Sequence, residues 1–324
     1  MTATAVSSRP AIRVTGLRKS FGDKVVLDDV DLLVAEGAVV ALLGPNGAGK
    51  TTIVKILSTL LPADAGTARV VGHDVVAEAD AVRAAIGVTG QFSAVDRFLT
   101  GEENLRLMAD LHHLGKAEGR RRAAALLERF DLADAARRPP SVYSGGMIRR
   151  LDLAMTLMGD PRLIFLDEPT TGLDPRSRRT MWQIIQELVA EGTTIFLTTQ
   201  QLDEADQLAD RIAVLDRGRI VAEGTPAQLK RRIPGGHLRL EFADPRHLDA
   251  AGRLLGPAAT PDEANLTLQV PGDGDAGRVR DLLNRLDTAA VPVERLSIHT
   301  PDLDDVFFAF TGRATATTPK DGQE

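Results

Sequence analysis

The octapeptide Gly44-Pro45-Asn46-Gly47-Ala48-Gly49-Lys50-Thr51 constrains this chain more than any other feature. It fits the pattern G-x-x-x-x-G-K-[ST] at every position. It lies between an unbroken apolar run, Ala38 to Leu43, and a segment from Thr51 to Leu60 that reads as a helix halted near Pro62. Apolarity without alternation predicts a strand buried on both faces, as in a parallel sheet. The glycines let backbone N–H groups approach phosphate oxygens with no Cβ in the way, and the helix N-terminus adds partial positive charge. Lys50 is then placed to neutralise β- and γ-phosphates and Thr51 to ligate Mg²⁺. The nucleotide-binding set runs from Gly44 to Thr51 and includes Thr52.

A second signal is Leu163-Ile164-Phe165-Leu166-Asp167-Glu168. Four apolar residues ending in two acids place carboxylates at the tip of a buried strand, the edge where α/β sheets bind ligands. Asp167 is suited to hold Mg²⁺ directly or through water, and Glu168 to orient and deprotonate an attacking water.

Composition limits the rest. The 324 residues are 43% hydrophobic and 26% charged, enough for roughly two packed domains. A net charge of −6 argues against a general nucleic-acid binder, so no nucleic-acid partner is expected. With no cysteine, disulfides and thiolate chemistry are excluded. No run approaches the roughly 20 apolar residues of a spanning helix, and the first ten residues lack the apolar stretch of a signal peptide. Residues 1–10 and 313–324 read as disordered.

Strands are expected at Ala11 to Leu17, at Val25 to Val34 with a polar break at Asp28-Asp29, and at Thr194 to Thr198. A hairpin is expected at Ile212 to Leu215 with Arg219 to Ala222. Residues 102–135 and 176–190 read as helical, and another helix follows Gly145-Gly146. Past about residue 230 the order becomes β-α-β-α-β with a closing helix from Asp302 to Phe310, a small α/β domain over 231–312.

Val142-Tyr143-Ser144-Gly145-Gly146-Met147 narrows the field, because Ser-Gly-Gly opening a helix shortly before the acidic strand forms a second anion site. Here the chain resembles the ATP-binding cassette (ABC) ATPases, whose signature reads LSGGQ. The resemblance implies a P-loop NTPase over residues 11–230, with a RecA-like core, an antiparallel β subdomain and a helical subdomain at about 92–160. It implies ATP as substrate, Mg²⁺ as cofactor, and a head-to-tail homodimer in which Tyr143, Ser144, Gly145 and Gly146 of one chain complete the phosphate site of the other. It further implies that Phe21 stacks on adenine, that Gln91 senses Mg²⁺ and contacts a membrane subunit near Phe92 to Leu99, and that Asp174, in Gly172-Leu173-Asp174, lies at the dimer interface.

One position departs from the family pattern. The switch histidine should fall at Gln200, within Thr198-Thr199-Gln200. A glutamine amide still donates a hydrogen bond to the γ-phosphate but carries neither proton nor charge. With Val88-Thr89-Gly90-Gln91, Tyr143 to Met147 and Leu166 to Arg176, this feature is similar to the daunorubicin/doxorubicin-resistance branch of drug exporters. Pro301 to Phe308 resembles the ending of that branch.

What the resemblance implies is an ATPase at the cytoplasmic face of the membrane, powering export of a drug-like compound through a separate permease subunit. An importer ATPase and a non-transport ABC ATPase stay open. The second is disfavoured because Lys50 and Asp167 are 117 residues apart, which leaves no room for a long coiled-coil insertion. The C-terminal domain reads as a dimerisation or stability module, or as a regulator.

Overall fold

The computed structural model describes residues 10–90, 93–233, 236–272, 275–299 and 301–312. The chain forms two compact units, Met1–Pro226 and Ala227–Glu324, dividing slightly before the boundary near residue 230 expected from sequence.

The first unit runs β1 (Pro10–Phe21), β2 (Lys24–Ala35), β3 (Val39–Leu43), α1 (Lys50–Leu57), β4 (Ala65–Val70), β5 (His73–Asp74), α2 (Ala79–Ala85) and β6 (Ile86–Thr89). Three helices follow, α3 (Gly101–Leu111), α4 (Lys116–Arg129) and α5 (Gly145–Thr156). The unit then continues through β7 (Leu163–Asp167), α6 (Pro175–Ala190), β8 (Thr194–Thr199), α7 (Leu202–Leu208), β9 (Arg211–Asp216) and β10 (Arg219–Gly224). An antiparallel sheet has the order β2-β1-β4-β5, and a six-stranded sheet the order β10-β9-β3-β8-β7-β6. In the latter, β9, β3, β8, β7 and β6 are mutually parallel and β10 pairs antiparallel with β9.

Every residue of β3, β7 and β8 is buried, as expected of central strands covered on both sheet faces. Phe165 and Phe196, register partners on β7 and β8, meet edge-to-face with ring centroids 5.8 Å apart. Their burial contributes about 1.5–3 kcal/mol each.

The polar pair Asp28-Asp29 does not break β2. Asp29 adopts φ 61, and pairing with β1 shifts register between Leu17↔Val30 and Lys19↔Leu27, so the strand continues through an irregularity. The expected helix over 102–135 is two helices and a 3₁₀ turn at Ala133–Ala135, because His112 to Gly115 interrupts it. Thr100 starts α3 with a reciprocal capping box to Glu103.

The helix α8 (Pro226–Arg232) crosses the division. The second unit comprises β11 (His237–Glu241), α9 (Pro245–Leu255), β12 (Thr260–Asp262), β13 (Thr267–Pro271), α10 (Ala276–Thr288), β14 (Arg295–His299) and α11 (Leu303–Thr311). The strand–helix alternation expected from sequence is there, with β12 added. Its four strands are all antiparallel in the order β12-β13-β11-β14, the split β-α-β arrangement of ferredoxin-like domains. Leu238, Leu240 and Leu268 from its sheet pack with Leu248, Ala251, Leu282 and Leu286 from its helices. Among the described residues, no helix is long and apolar enough to cross a membrane.

Candidate functional site

The glycine-rich loop leaves the C-terminal end of β3 and enters α1. Its backbone leaves no space for side chains at two places. A Cβ on Gly44 would lie 2.4 Å from the Leu215 carbonyl oxygen; Gly49, at φ 113, would press one 2.7 Å from Leu27. Asn46 and Gly47 are exposed, whereas Lys50 is buried at the start of α1. Lys50 Nζ donates to the carbonyls of Gly44 at 2.7 Å and Pro45 at 3.2 Å, and lies 3.7 Å from Glu168 Oε1. Burial pushes the Lys50 ammonium below its ordinary pKa, while Glu168 and Asp167 oppose that shift.

Parallel pairing brings the acidic strand end beside this loop. The order β3-β8-β7 places Leu43 opposite Thr199, and Thr198 opposite Asp167. Backbone bonds tie the strand ends, from Gly44 N to the Thr199 carbonyl at 3.2 Å and from Glu168 N to the Thr198 carbonyl at 3.0 Å. Thr51 Oγ1 donates to Asp167 Oδ2 at 3.0 Å, and the Thr198 hydroxyl donates to Asp167 Oδ1. A hydroxyl and a buried carboxylate form a hard-oxygen pair of the kind that would suit Mg²⁺.

Glu168 has φ 52, a left-handed conformation uncommon outside glycine. Gln200 is exposed immediately after β8, between the phosphate loop and the acidic strand end. Lys50, Thr51, Asp167, Glu168 and Gln200 therefore converge on three adjacent strand ends.

The other predicted residues sit elsewhere. Phe21 is exposed at the end of β1, with Lys19 Nζ 5.5 Å from its ring centroid. Ser144 caps α5 by accepting from Met147 N at 3.2 Å, and both Ser144 and Gly145 are exposed. Gly146 is buried where α5 meets Ser177, whose Oγ lies 2.5 Å from the position of an added Cβ. Tyr143 differs from its neighbours. It is buried, and its hydroxyl donates to the Ala135 carbonyl at 2.6 Å, so it anchors the helical region. Asp174 caps α6, accepting from Arg176 N at 3.0 Å and Ser177 N at 2.9 Å; the Ser177 hydroxyl first, then these amides, lower its pKa. Gln91 lies outside the described residues.

Several contributors left no mark in the sequence reading. Arg149, on α5, donates to the carbonyls of Gly90 at 2.8 Å, Pro169 at 3.0 Å, Asp167 at 3.0 Å and Glu168 at 3.2 Å. Glu204 is buried on α7 and accepts from Thr170 Oγ1 at 2.6 Å and Trp182 Nε1 at 3.4 Å. Burial raises its pKa. Thr198 was visible within the Thr-Thr-Gln run, but nothing there announced its bond to Asp167.

A family model for ABC transporters matches residues 27–171. Over 303 residues the chain is 50% identical to the daunorubicin resistance ATP-binding protein DrrA3 of Streptomyces coeruleorubidus, covering 93% of this chain and 96% of that protein. The chain belongs to the ABC transporter ATP-binding family. A more distant relative, the Nod factor export ATP-binding protein I of Sinorhizobium fredii, is 39% identical over 304 residues, covering 94% of this chain and 86% of that one. A solved ATP-binding subunit of an ABC transporter superposes with a TM-score of 0.62 at 31% identity, covering 68% of this chain and 92% of its own. A dimeric ATP-binding cassette in a post-hydrolysis state with ADP and phosphate gives 0.60 at 26% identity, over 66% of this chain and 98% of its own. This ABC ATPase therefore has the P-loop NTPase fold of its family, whose general reaction is ATP hydrolysis.

Proposed function

We propose that this chain is the ATP-hydrolysing subunit of an exporter that moves a drug- or antibiotic-like hydrophobic compound through a separate integral membrane permease. The carrying observation is the convergence of Lys50, Thr51, Asp167 and Glu168 on adjacent strand ends. The direction of transport rests on relatives named for drug resistance and for export.

Backbone N–H groups of Asn46 to Lys50 and the start of α1 cradle the phosphates of ATP. Lys50 turns from the Gly44 and Pro45 carbonyls towards the β- and γ-phosphates, which loosens its ion pair with Glu168. Thr51 and Asp167 would hold Mg²⁺, which would supply positive charge against the phosphate oxygens. Glu168 orients a water in line with the γ-phosphorus and takes its proton as the water oxygen bonds to phosphorus. The bond from phosphorus to the bridging oxygen breaks, leaving ADP and inorganic phosphate, and Glu168 returns the proton to solvent. Gln200 donates its amide N–H to the γ-phosphate and takes no proton. Phe21 stacks on the adenine.

A second copy supplies Ser144, Gly145 and Gly146 to the γ-phosphate and brings Asp174 to the interface, so ATP drives homodimer formation. That ATP favours the closed pair over the open one is what moves the permease, since only differential affinity shifts an equilibrium. The permease holds this chain at the cytoplasmic face of the membrane.

The test pairs an enzyme assay with a cellular one. Glu168→Gln should lower turnover by at least about 100-fold. It should keep ATP binding and accumulate an ATP-bound dimer in sedimentation. Cells lacking the gene should accumulate daunorubicin, and wild type but not Glu168→Gln should reverse this. Full turnover in the variant removes Glu168 as base; unchanged daunorubicin accumulation removes daunorubicin as the exported compound.

A further inference from the structure

We infer that Arg149 is a positioning residue for Glu168, and that with Asp152 it fixes the general base relative to the backbone at Gly90 and Ala94. The inference rests on the reading of Glu168 as base. Glu168 hangs between two peptide groups held in a left-handed turn at φ 52. Arg149 Nη2 donates to both flanking carbonyls, those of Asp167 at 3.0 Å and Glu168 at 3.2 Å, while Nε takes the Pro169 carbonyl at 3.0 Å. Three successive carbonyls at the end of β7 are thus pinned by one planar group, which holds a backbone conformation that glutamate disfavours.

The opposite edge of the guanidinium faces the chain after β6. Arg149 Nη1 donates to the Gly90 carbonyl at 2.8 Å and lies 3.4 Å from Asp152 Oδ2, one turn along the same helix. Asp152 Oδ1 accepts from Ala94 N at 3.1 Å. Arg149 and Asp152 together bind the backbone at Gly90 and at Ala94. Both side chains are nearly enclosed, with 12% and 4% of their surface exposed. A fork of fixed geometry suits this arrangement. An ammonium has no planar edge with which to span both sets of carbonyls. Since α5 begins at the Ser144-Gly145-Gly146 cap, one helix carries the signature residues at its start and the Glu168 support one turn later.

The test uses the full chain with Mg-ATP. Arg149→Met should lower kcat by about 10- to 100-fold through misplacement of Glu168, with KM for ATP within about twofold of wild type. Arg149→Lys, which keeps charge and folds under milder strain, should recover part of kcat. Combining Arg149→Met with Glu168→Gln gives the decisive reading. If Arg149 acts through Glu168, the Gln substitution costs far less in the Met background than in wild type. Unchanged kcat in Arg149→Met, or losses that multiply in the double variant, overturns the inference. Should Arg149→Met fail to fold by thermal melting, the same cycle run with Arg149→Lys decides. Full turnover in Glu168→Gln alone instead overturns the base assignment, a separate failure.

Discussion

Thr51 Oγ1 and Asp167 Oδ2 are joined by a 3.0 Å hydrogen bond across 116 residues of sequence, linking the first turn of α1 to the last residue of β7. The bond places the hydroxyl and carboxylate within reach of one cation, with the second carboxylate oxygen held by Thr198. Thr51→Ala removes one oxygen donor, and an interaction of this charged type contributes about 1.5–3 kcal/mol. The Mg²⁺-dependent gain in ATP affinity should therefore fall by about ten- to a hundredfold. Thr51→Ser should restore it. Titrating ATP binding with Mg²⁺ and with EDTA measures both, and an undiminished Mg²⁺ effect in Thr51→Ala excludes the hydroxyl as a ligand.

Gln200 stands where an imidazole would bring a titrating group, so its consequence is a matter of pH. An amide has no proton to gain or lose between pH 5 and 8, whereas histidine titrates near 6.5 in the absence of perturbation. Turnover of the wild-type chain should lack an inflection from this position, and Gln200→His should add one at about pH 6–7. Gln200→Ala, which removes the amide donor, should lower turnover at every pH. Identical pH profiles for wild type and Gln200→His would place position 200 away from the reacting phosphate.

The two chemical strands were legible because each carries a local pattern. The phosphate loop has fixed glycine spacing, and β7 ends an apolar run in two acids. The supports around them were not, because they act across the fold. Arg149 reaches backbone carbonyls, which have no sequence identity to read, and Glu204 looks like any helix-surface acid until α7 is seen to turn it inward. Short elements escaped for a different reason. Ala65–Val70, between β1 and β5 in the antiparallel sheet, has only two buried residues, and Thr260–Asp262 contains a proline, so neither shows sustained alternation. Asp28-Asp29 misled because polarity suggested a break where the strand accommodates a single positive-φ residue.

Tyr143 tests where the signature motif ends. Its hydroxyl is committed to Ala135, and Gly101 packs so closely that an added Cβ would lie 2.5 Å from that oxygen. Tyr143→Phe leaves the Ala135 carbonyl without this donor and should cost about 0.5–1.5 kcal/mol of stability. ATP affinity should stay at the wild-type value. Thermal melting and nucleotide titration on one preparation separate the effects, and weakened ATP binding with an unchanged melting temperature would return Tyr143 to the nucleotide site.

Glu204 makes the stability of the fold depend on pH. Burial is the largest influence on its carboxyl and raises its pKa, only partly offset by the Thr170, Thr199 and Trp182 donors. In the interval between the unfolded and the folded pKa, the native chain holds a proton that the unfolded chain has released, so stability falls as pH rises through it. Below the unfolded pKa both states are protonated and the penalty vanishes. Above the folded pKa the full cost of a buried carboxylate remains. Glu204→Gln keeps an oxygen acceptor for Thr170 and Trp182 and carries no charge. Its melting temperature should exceed that of wild type near pH 7, and the difference should shrink as pH falls towards 4. Melting curves across this range check the claim; a variant less stable than wild type near neutral pH would show that the ionised carboxylate is worth more to its three donors than its burial costs.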